Sequence, residues 1–254
     1  GNVNVFEDTD GGEQIYAGPM AVLVNLASAS ASEIYSAAIQ DYERGIIIGS
    51  TTTGKGTAQV QLDSLAHGQA TLTQRKFYRV TGGSTQNKGV IPDIRLVDIY
   101  NEEFGERKAK NALKWDTIPT APFKREGSVQ PYLAKLNQTS EQRVATDPQF
   151  KYLETRKTLA KKSADEKKVV LDIDQRRAEL IDLEKQTLDA ENQRRAATGQ
   201  PPYANWESYQ ASIDALVESR AKMKAHLRPP LPEEEAFVTA AANVLLDYAA
   251  LQRR

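Results

Sequence analysis

The sequence contains no cysteine and only two histidines, two tryptophans and two methionines among its 254 residues. The absence of cysteine excludes a thiol nucleophile, a zinc–thiolate site and a disulfide framework. The histidines, His67 and His226, are far apart in the sequence, and neither is flanked by other residues of the metal-ligating types. We therefore expect no metal site and no other cofactor.

The sequence also lacks an excess of either charge and lacks long hydrophobic runs. Its 33 basic and 34 acidic residues give a formal net charge of −1, so charge gives no reason to expect binding to nucleic acid or to an anionic membrane. The apolar runs at residues 20–24 and 46–48 are too short to span a bilayer. No signal peptide is visible, and the abrupt opening leads us to expect a fragment of a longer protein.

Composition changes near Tyr100. Residues 1–98 carry 7 basic and 10 acidic side chains, whereas residues 99–254 carry 26 and 24. The first part alternates short apolar runs with turns, and its strand–helix–strand order predicts a βαβ unit with parallel strands. The second part is rich in charge with helical spacing of apolar residues, which predicts a mainly α-helical domain. The sequence thus predicts an α/β fold with domains at 1–98 and 99–254.

Particular elements can be placed on this outline. A helix is predicted to begin at Asp147 and Pro148, since Asp is a favoured N-cap and Pro a favoured first helical residue. The other predicted elements are strands at residues 20–24, 46–48, 58–62, 69–80 and 90–97, and helices at residues 32–42, 151–162, 168–197 and 206–227 and from residue 233 onward.

Small residues fill the segment from Ser28 to Glu33, where a buried strand is predicted to turn into a helix. A helix N-terminus offers free N–H groups and a partial positive charge. Ser30 there could act as a nucleophile, with the next backbone N–H, that of Ala31, stabilising an oxyanion. A serine before a helix is more often an N-cap, so this segment alone leaves both interpretations open.

The loop from Gly49 to Gly56 contains the second unusual pattern. It nearly matches the phosphate-binding loop GxxxxGK[ST], but residue 56 is glycine instead of serine or threonine. The residues that follow alternate as a strand does, whereas a phosphate-binding loop opens a helix. Lys55 could instead be a general base, which requires a neutral amine held in apolar surroundings. A surface lysine is the remaining interpretation of Lys55.

Taken together, these segments resemble the C-terminal processing peptidases, and specifically their tail-specific protease branch. The resemblance covers about residues 14–95, and the segment NALKWD at 111–116 and the helical tail resemble the C-terminal extension of the same branch. The residues that carry it are SASASEI at 28–34, GKGT at 54–57, Gln59, KFYRV at 76–80, GGSTQ at 82–86 and KGVIPDI at 88–94.

This resemblance implies a Ser/Lys dyad and a crotonase-like ββα protease core, present here in part. Ser30 would be the nucleophile and Lys55, 25 residues later, its general base. Gln59 would position the lysine, and the N–H of Ala31 would form half of the oxyanion hole. The implied function is a periplasmic serine endopeptidase that degrades or processes proteins with nonpolar C-termini, in some members with a lipoprotein adaptor.

The chain departs from the family pattern upstream of the nucleophile. Members carry a PDZ domain and a second oxyanion donor, a glycine, before the serine, whereas only 29 residues precede Ser30. We therefore expect this chain alone to be weakly active or inactive. Two alternatives remain open: a non-catalytic helical scaffold or binding module, and a nucleotide-binding protein that uses Gly49 to Lys55. A helix at residues 57–62 would favour the nucleotide-binding alternative, and a strand there would favour the protease. The reactivity of Ser30 distinguishes the protease from the scaffold.

Overall fold

A computed structural model describes residue 12 and residues 15–63, 65, 67–100 and 105–253. Five strands and six helices follow one another within these residues. They are β1 (Ala21–Val24), α1 (Ala31–Asp41), β2 (Ile46–Gly49), β3 (Thr57–Leu62), β4 (Ala70–Lys76), β5 (Ile94–Arg95), α2 (Gln130–Thr146), α3 (Pro148–Asp165), α4 (Ile173–Ala197), α5 (Trp206–Ala221) and α6 (Pro232–Gln252), with 3-10 turns at Glu106–Lys108 and Ala225–Leu227.

A three-stranded parallel sheet of order β1-β2-β5 lies at the centre of the first part. Its middle strand is fully buried, as its run of isoleucines predicts. Because side chains alternate across a strand, Ile47 packs against Ala37 of α1 on one face. Ile46 and Ile48 point to the other face. The predicted βαβ unit and the mixed α/β fold with a helical C-terminal region are confirmed.

The second face of the sheet packs against the helical region. One hydrophobic cluster joins Ile46, Ile48 and Ile94 of the sheet to Leu136 of α2, Phe150 and Leu153 of α3 and Val244 of α6. The sheet could not bury this face with residues 1–98 alone. The domain boundary after residue 98 stays a prediction, and it would cut the chain between two layers that share one core.

Two predicted strands are shorter in the structure. The strand predicted over residues 69–80 ends at Lys76, and Arg79, three residues later, binds the carboxylate of Asp41 in α1. Leu72 is 55% exposed on the β3–β4 hairpin. The strand predicted over residues 90–97 is reduced to Ile94–Arg95.

The helix predicted to begin at Asp147 and Pro148 does so. The Oδ1 atom of Asp147 accepts a hydrogen bond from the N–H of Gln149 at 2.8 Å, as an N-cap side chain should. Helix α2 was not predicted from the sequence, although Leu136, Leu133 and Val144 on it pack in or against the hydrophobic core. None of the helices in the described part of the chain combines the length and the hydropathy that a membrane span requires.

A buried ion pair between Arg194 and Glu191 supports the helical region. Both side chains are only 4% exposed, and two hydrogen bonds of 2.9 and 2.7 Å join them. The bond to Glu191 raises the pKa of Arg194. Arg194→Met would leave a carboxylate buried without its partner, so we expect the free energy of unfolding to fall by about 3–5 kcal/mol in urea denaturation.

Arg177→Met is the matched control for this prediction. Arg177 is 69% exposed and pairs with Asp174 on the surface of the same helix, so its loss should change the free energy of unfolding by less than about 1 kcal/mol. Equal effects of the two substitutions would contradict a stabilising role for the buried pair.

Candidate active site

Ser30 occupies a strained turn between β1 and α1. It is the N-cap of α1 with φ 55°, a left-handed conformation that non-glycine residues rarely adopt. Its hydroxyl makes no capping hydrogen bond, although capping is the ordinary reason for a serine at this position. Backbone strain of this kind persists only where the surroundings impose it, and it is common at functional sites.

The neighbours of Ser30 divide into engaged and free groups. The Ser28 hydroxyl accepts from the N–H of Asn25 at 3.1 Å and donates to its side-chain oxygen at 3.4 Å, so Ser28 stabilises the turn. Ser32 lies exposed in the first turn of α1. The N–H of Ala31 has no acceptor among the described residues, so it is available to an oxyanion at the N-terminus of the helix.

The carboxylate of Glu33 joins the Ser30 turn to the loop of residues 49–56 that contains Lys55, which we call the lysine loop. Glu33 is fully buried, and its Oε2 atom accepts from the N–H of Ser30 at 3.0 Å and of Lys55 at 2.8 Å. The two backbone nitrogens therefore lie less than about 6 Å apart, since both lie within hydrogen-bond distance of one oxygen. The other carboxylate oxygen accepts from the N–H of Gly54 at 2.7 Å and from the hydroxyl of Thr52.

Sequence reasoning missed this role of Glu33. The sequence places a glutamate in the first turn of a helix, where it favourably complements the helix dipole. Its spacing from Ser30 matches a capping box, in which a glutamate three residues later bonds back to the N-cap N–H, and that bond is present. The bonds to Gly54 and Lys55 connect residues more than 20 positions apart in sequence, which local patterns do not reveal.

The glycines beside Lys55 allow another segment to approach the loop closely. A Cβ at residue 56 would lie 2.5 Å from the backbone nitrogen of Gln86, and Gly54 has φ +88°. Gln86 is fully buried, and its Oε1 atom accepts from the N–H of Gly56 at 2.9 Å. Three consecutive N–H groups, those of residues 54, 55 and 56, therefore donate to side-chain oxygens.

This arrangement contradicts the nucleotide-binding alternative. In a phosphate-binding loop such N–H groups cradle a phosphate, and the loop continues into a helix. Here the carboxylate of Glu33 already accepts from two of them and would repel a phosphate. The loop continues into the strand β3.

The side chains of Lys55 and Gln59 are placed differently from each other. Lys55 is half-buried, and its ammonium group has no hydrogen-bond or ion-pair partner among the described residues. Gln59 lies exposed on β3 next to a β-bulge and donates to the hydroxyl of Thr73 at 3.4 Å. Glu33 and Gln86 are thus the side chains that bind the backbone N–H groups of residues 54–56, whereas the positioning role of Gln59 stays a prediction.

A polar network at the C-terminal end of α1 anchors the segment that follows β4. The Nε atom of Arg79 donates to both carboxylate oxygens of Asp41, at 3.2 and 3.0 Å, and another of its nitrogens donates to Gln40 at 2.9 Å. Gln40 in turn donates to Asp93 at 2.9 Å. Burial raises the pKa of Asp93, although bonds from Ile47 and Gln40 oppose this effect.

Two protein families match adjoining parts of this chain. Peptidase family S41 matches residues 2–96, and the family described as C-terminal domain of tail specific protease matches residues 99–250, more than half of the chain. The chain belongs to the tail-specific protease family. The resemblance found in the sequence is thereby confirmed.

Relatives in this family share substantial sequence with the chain. The tail-specific protease of Haemophilus influenzae is 43% identical over 190 residues, which are 70% of this chain and 27% of that protein. The carboxy-terminal-processing protease of Bartonella bacilliformis is 43% identical over 86 residues, 34% of this chain and 20% of that protein. The chain thus spans about a quarter of the length of these curated relatives.

A solved structure also matches part of the chain. The match is to the photosystem II D1 C-terminal processing protease, with 39% sequence identity and a TM-score of 0.28. It covers 31% of this chain and 20% of the chain of that structure. A TM-score this low carries no argument about the fold.

Proposed function

We propose that this chain carries the Ser/Lys dyad of a serine endopeptidase, with Ser30 as nucleophile and Lys55 as general base. The observation that carries the proposal is the carboxylate of Glu33, which binds the backbone N–H groups of both residues. The strained turn at Ser30 and the absence of a capping hydrogen bond from its hydroxyl, among the described residues, support the same assignment. We further propose that residues 1–98 are the C-terminal part of a crotonase-like ββα catalytic domain.

The proposed reaction proceeds by acyl transfer. Neutral Lys55 accepts the proton of the Ser30 hydroxyl while the serine oxygen attacks the carbonyl carbon of the scissile peptide bond. The N–H of Ala31 and the helix N-terminus stabilise the oxyanion of the tetrahedral intermediate. Protonated Lys55 then gives its proton to the leaving amine, and water hydrolyses the acyl-enzyme ester and restores Ser30.

Substrates and location are proposed for the whole protein. The relatives' names describe tail-specific and carboxy-terminal processing proteases. We propose protein substrates with nonpolar C-termini, a periplasmic location and a lipoprotein adaptor. The chain spans about a quarter of the length of its relatives. We therefore also propose that further segments of such a protein supply a PDZ domain and the second oxyanion donor. This chain alone should then react weakly.

A fluorophosphonate probe tests the proposal by marking activated serines. The 254-residue chain and the longest natural polypeptide that contains it are treated at several pH values between about pH 6 and pH 10, a range chosen because free lysine titrates near its upper end. Peptide mass spectrometry should find the label on Ser30, with Ser28 and Ser32 unlabelled as internal controls. No label on Ser30 in either polypeptide would leave the non-catalytic scaffold as the better explanation.

A further inference from the structure

We propose that residues 105–121, which we call the brace, position Lys55 from outside the proposed catalytic part of the chain, with Glu106 and Trp115 as its anchoring residues. This inference rests on the proposed function, because it assigns a purpose to contacts around the proposed base. It gives a role to the NALKWD segment at residues 111–116, which the dyad itself does not use.

Glu106 reaches the lysine loop on both sides of Lys55. Its N–H donates to the carbonyl of Thr53 at 2.9 Å, two residues before the lysine. Its Oε1 atom accepts from the side-chain amide of Gln86 at 3.1 Å. Gln86 uses its own oxygen to accept from the N–H of Gly56, one residue after the lysine. Glu106 therefore fixes the loop directly and through one buried amide.

Trp115 provides the second anchor on the turn that supports the loop. Its ring N–H donates to the carbonyl of Ser84 at 2.8 Å, and the ammonium of Lys88 lies 3.1 Å from the ring centroid. The side-chain amide of Asn87 donates to the carbonyl of Leu113 at 3.0 Å. The brace thus holds both ends of the segment from Ser84 to Lys88.

That supporting segment contacts the loop itself. The N–H of Asn87 donates to the carbonyl of Gly54 at 2.8 Å, and a Cβ at residue 54 would lie 3.0 Å from the Asn87 backbone. A shift of the brace would therefore move the backbone against which Gly54 and Gly56 pack. Lys55 lies between these two glycines, so its position follows that of the brace.

The brace is poorly suited to a purely stabilising role. Residues 109–121 are exposed except for Ala112, which is half-buried, and none of them belongs to the described hydrophobic clusters. Such a segment buries little apolar surface and is held by directional polar bonds. The contacts of the brace therefore serve geometry, and their targets are the lysine loop and its supporting turn.

Substitutions at Glu106 test this role in the longest natural polypeptide. Glu106→Ala removes the acceptor of the Gln86 amide, whereas Glu106→Gln keeps an oxygen there. We expect Glu106→Ala to slow fluorophosphonate labelling of Ser30 roughly tenfold, because small displacements of reacting groups are costly, and to speed amide hydrogen exchange at residues 54–56. Glu106→Gln should stay within about twofold of the wild-type labelling rate.

Trp115→Phe keeps an aromatic ring beside Lys88 and loses the bond to Ser84, so it should also slow labelling. Glu126→Ala removes an exposed carboxylate that lies after the brace in the sequence and is the matched control. Rates are compared per folded molecule, with stability measured separately in urea. A fall in stability with wild-type labelling and exchange rates in Glu106→Ala would overturn the brace.

The two proposals can fail separately. If wild-type Ser30 is labelled and Glu106→Ala is labelled at the same rate, the positioning role of the brace is overturned and the proposed dyad stands. If the wild type is not labelled, the proposed dyad is overturned, and hydrogen exchange then tests the positioning role of the brace. Faster exchange at residues 54–56 in Glu106→Ala would support it, and unchanged exchange there would overturn it.

Discussion

Replacing Lys55 with alanine is expected to slow modification of Ser30 by a fluorophosphonate roughly 10²- to 10⁴-fold, the usual contribution of a general base. Stopped-time labelling followed by intact mass measurement gives the rates of the two proteins.

The structure makes this substitution a clean test. The lysine loop is held by backbone N–H groups, including that of Lys55, which donates to Glu33 at 2.8 Å. The ammonium group has no partner among the described residues, so its removal leaves every described hydrogen bond of the loop in place. A lower labelling rate would then report lost chemistry and not a displaced loop.

Lys55→Arg distinguishes the role of Lys55 as a proton acceptor from the effect of its positive charge. A guanidinium stays protonated throughout the pH range in which a lysine titrates, so arginine keeps the positive charge and cannot serve as a base. We expect Lys55→Arg to be as slow as Lys55→Ala. Lys124→Ala, which removes an exposed lysine elsewhere, should label at the wild-type rate. Wild-type reactivity in Lys55→Arg would show that Lys55 contributes only its charge.

The parts of the fold that could be predicted are those set by local pattern. The run of isoleucines at Ile46–Ile48 and the small residues before α1 predict a buried strand and a tight strand-to-helix turn, and both are present. The glycines around Lys55 predict close backbone approach, and Gln86 and Asn87 supply it. In each case the side chain or its absence dictates the geometry within a few residues.

The parts that could not be predicted depend on partners distant in sequence. The strand predicted over residues 69–80 includes Arg79, yet in the structure Arg79 binds Asp41, 38 residues earlier, and β4 ends at Lys76. The burial of Gln86 depends on Gly56 and on Glu106, 30 and 20 residues away. A polar residue gives no periodic signal of such contacts, so these roles become visible only when the chain is folded.

Glu33 has a local role at the start of α1 and a long-range role in binding Gly54 and Lys55. Its substitution distinguishes the two roles and is the second decisive experiment. Glu33→Gln replaces one acceptor oxygen with an amide group that donates. If its remaining oxygen stays with Gly54 and Thr52, the amide faces the N–H groups of Ser30 and Lys55, and these donors lose their acceptor. A buried donor without a partner costs about 1–3 kcal/mol, so we expect the free energy of unfolding to fall by that amount or more.

The effect on reactivity should be larger still. Because one carboxylate binds the backbone of both Ser30 and Lys55, its loss should let the two segments separate, and we expect labelling of Ser30 to fall roughly 10²-fold. Hydrogen exchange at residues 54 and 55 should become faster at the same time. These two measurements and urea denaturation are made on the same preparation, so that folded protein is compared with folded protein.

Glu207→Gln provides the matched control. Glu207 is exposed in the first turn of α5, where its charge complements the helix dipole without a buried network. The same change there should cost about 0.3–1 kcal/mol and leave labelling unchanged. If Glu33→Gln behaved like Glu207→Gln, the glutamate would serve only the helix dipole, and the carboxylate could not be what holds the proposed nucleophile and base together.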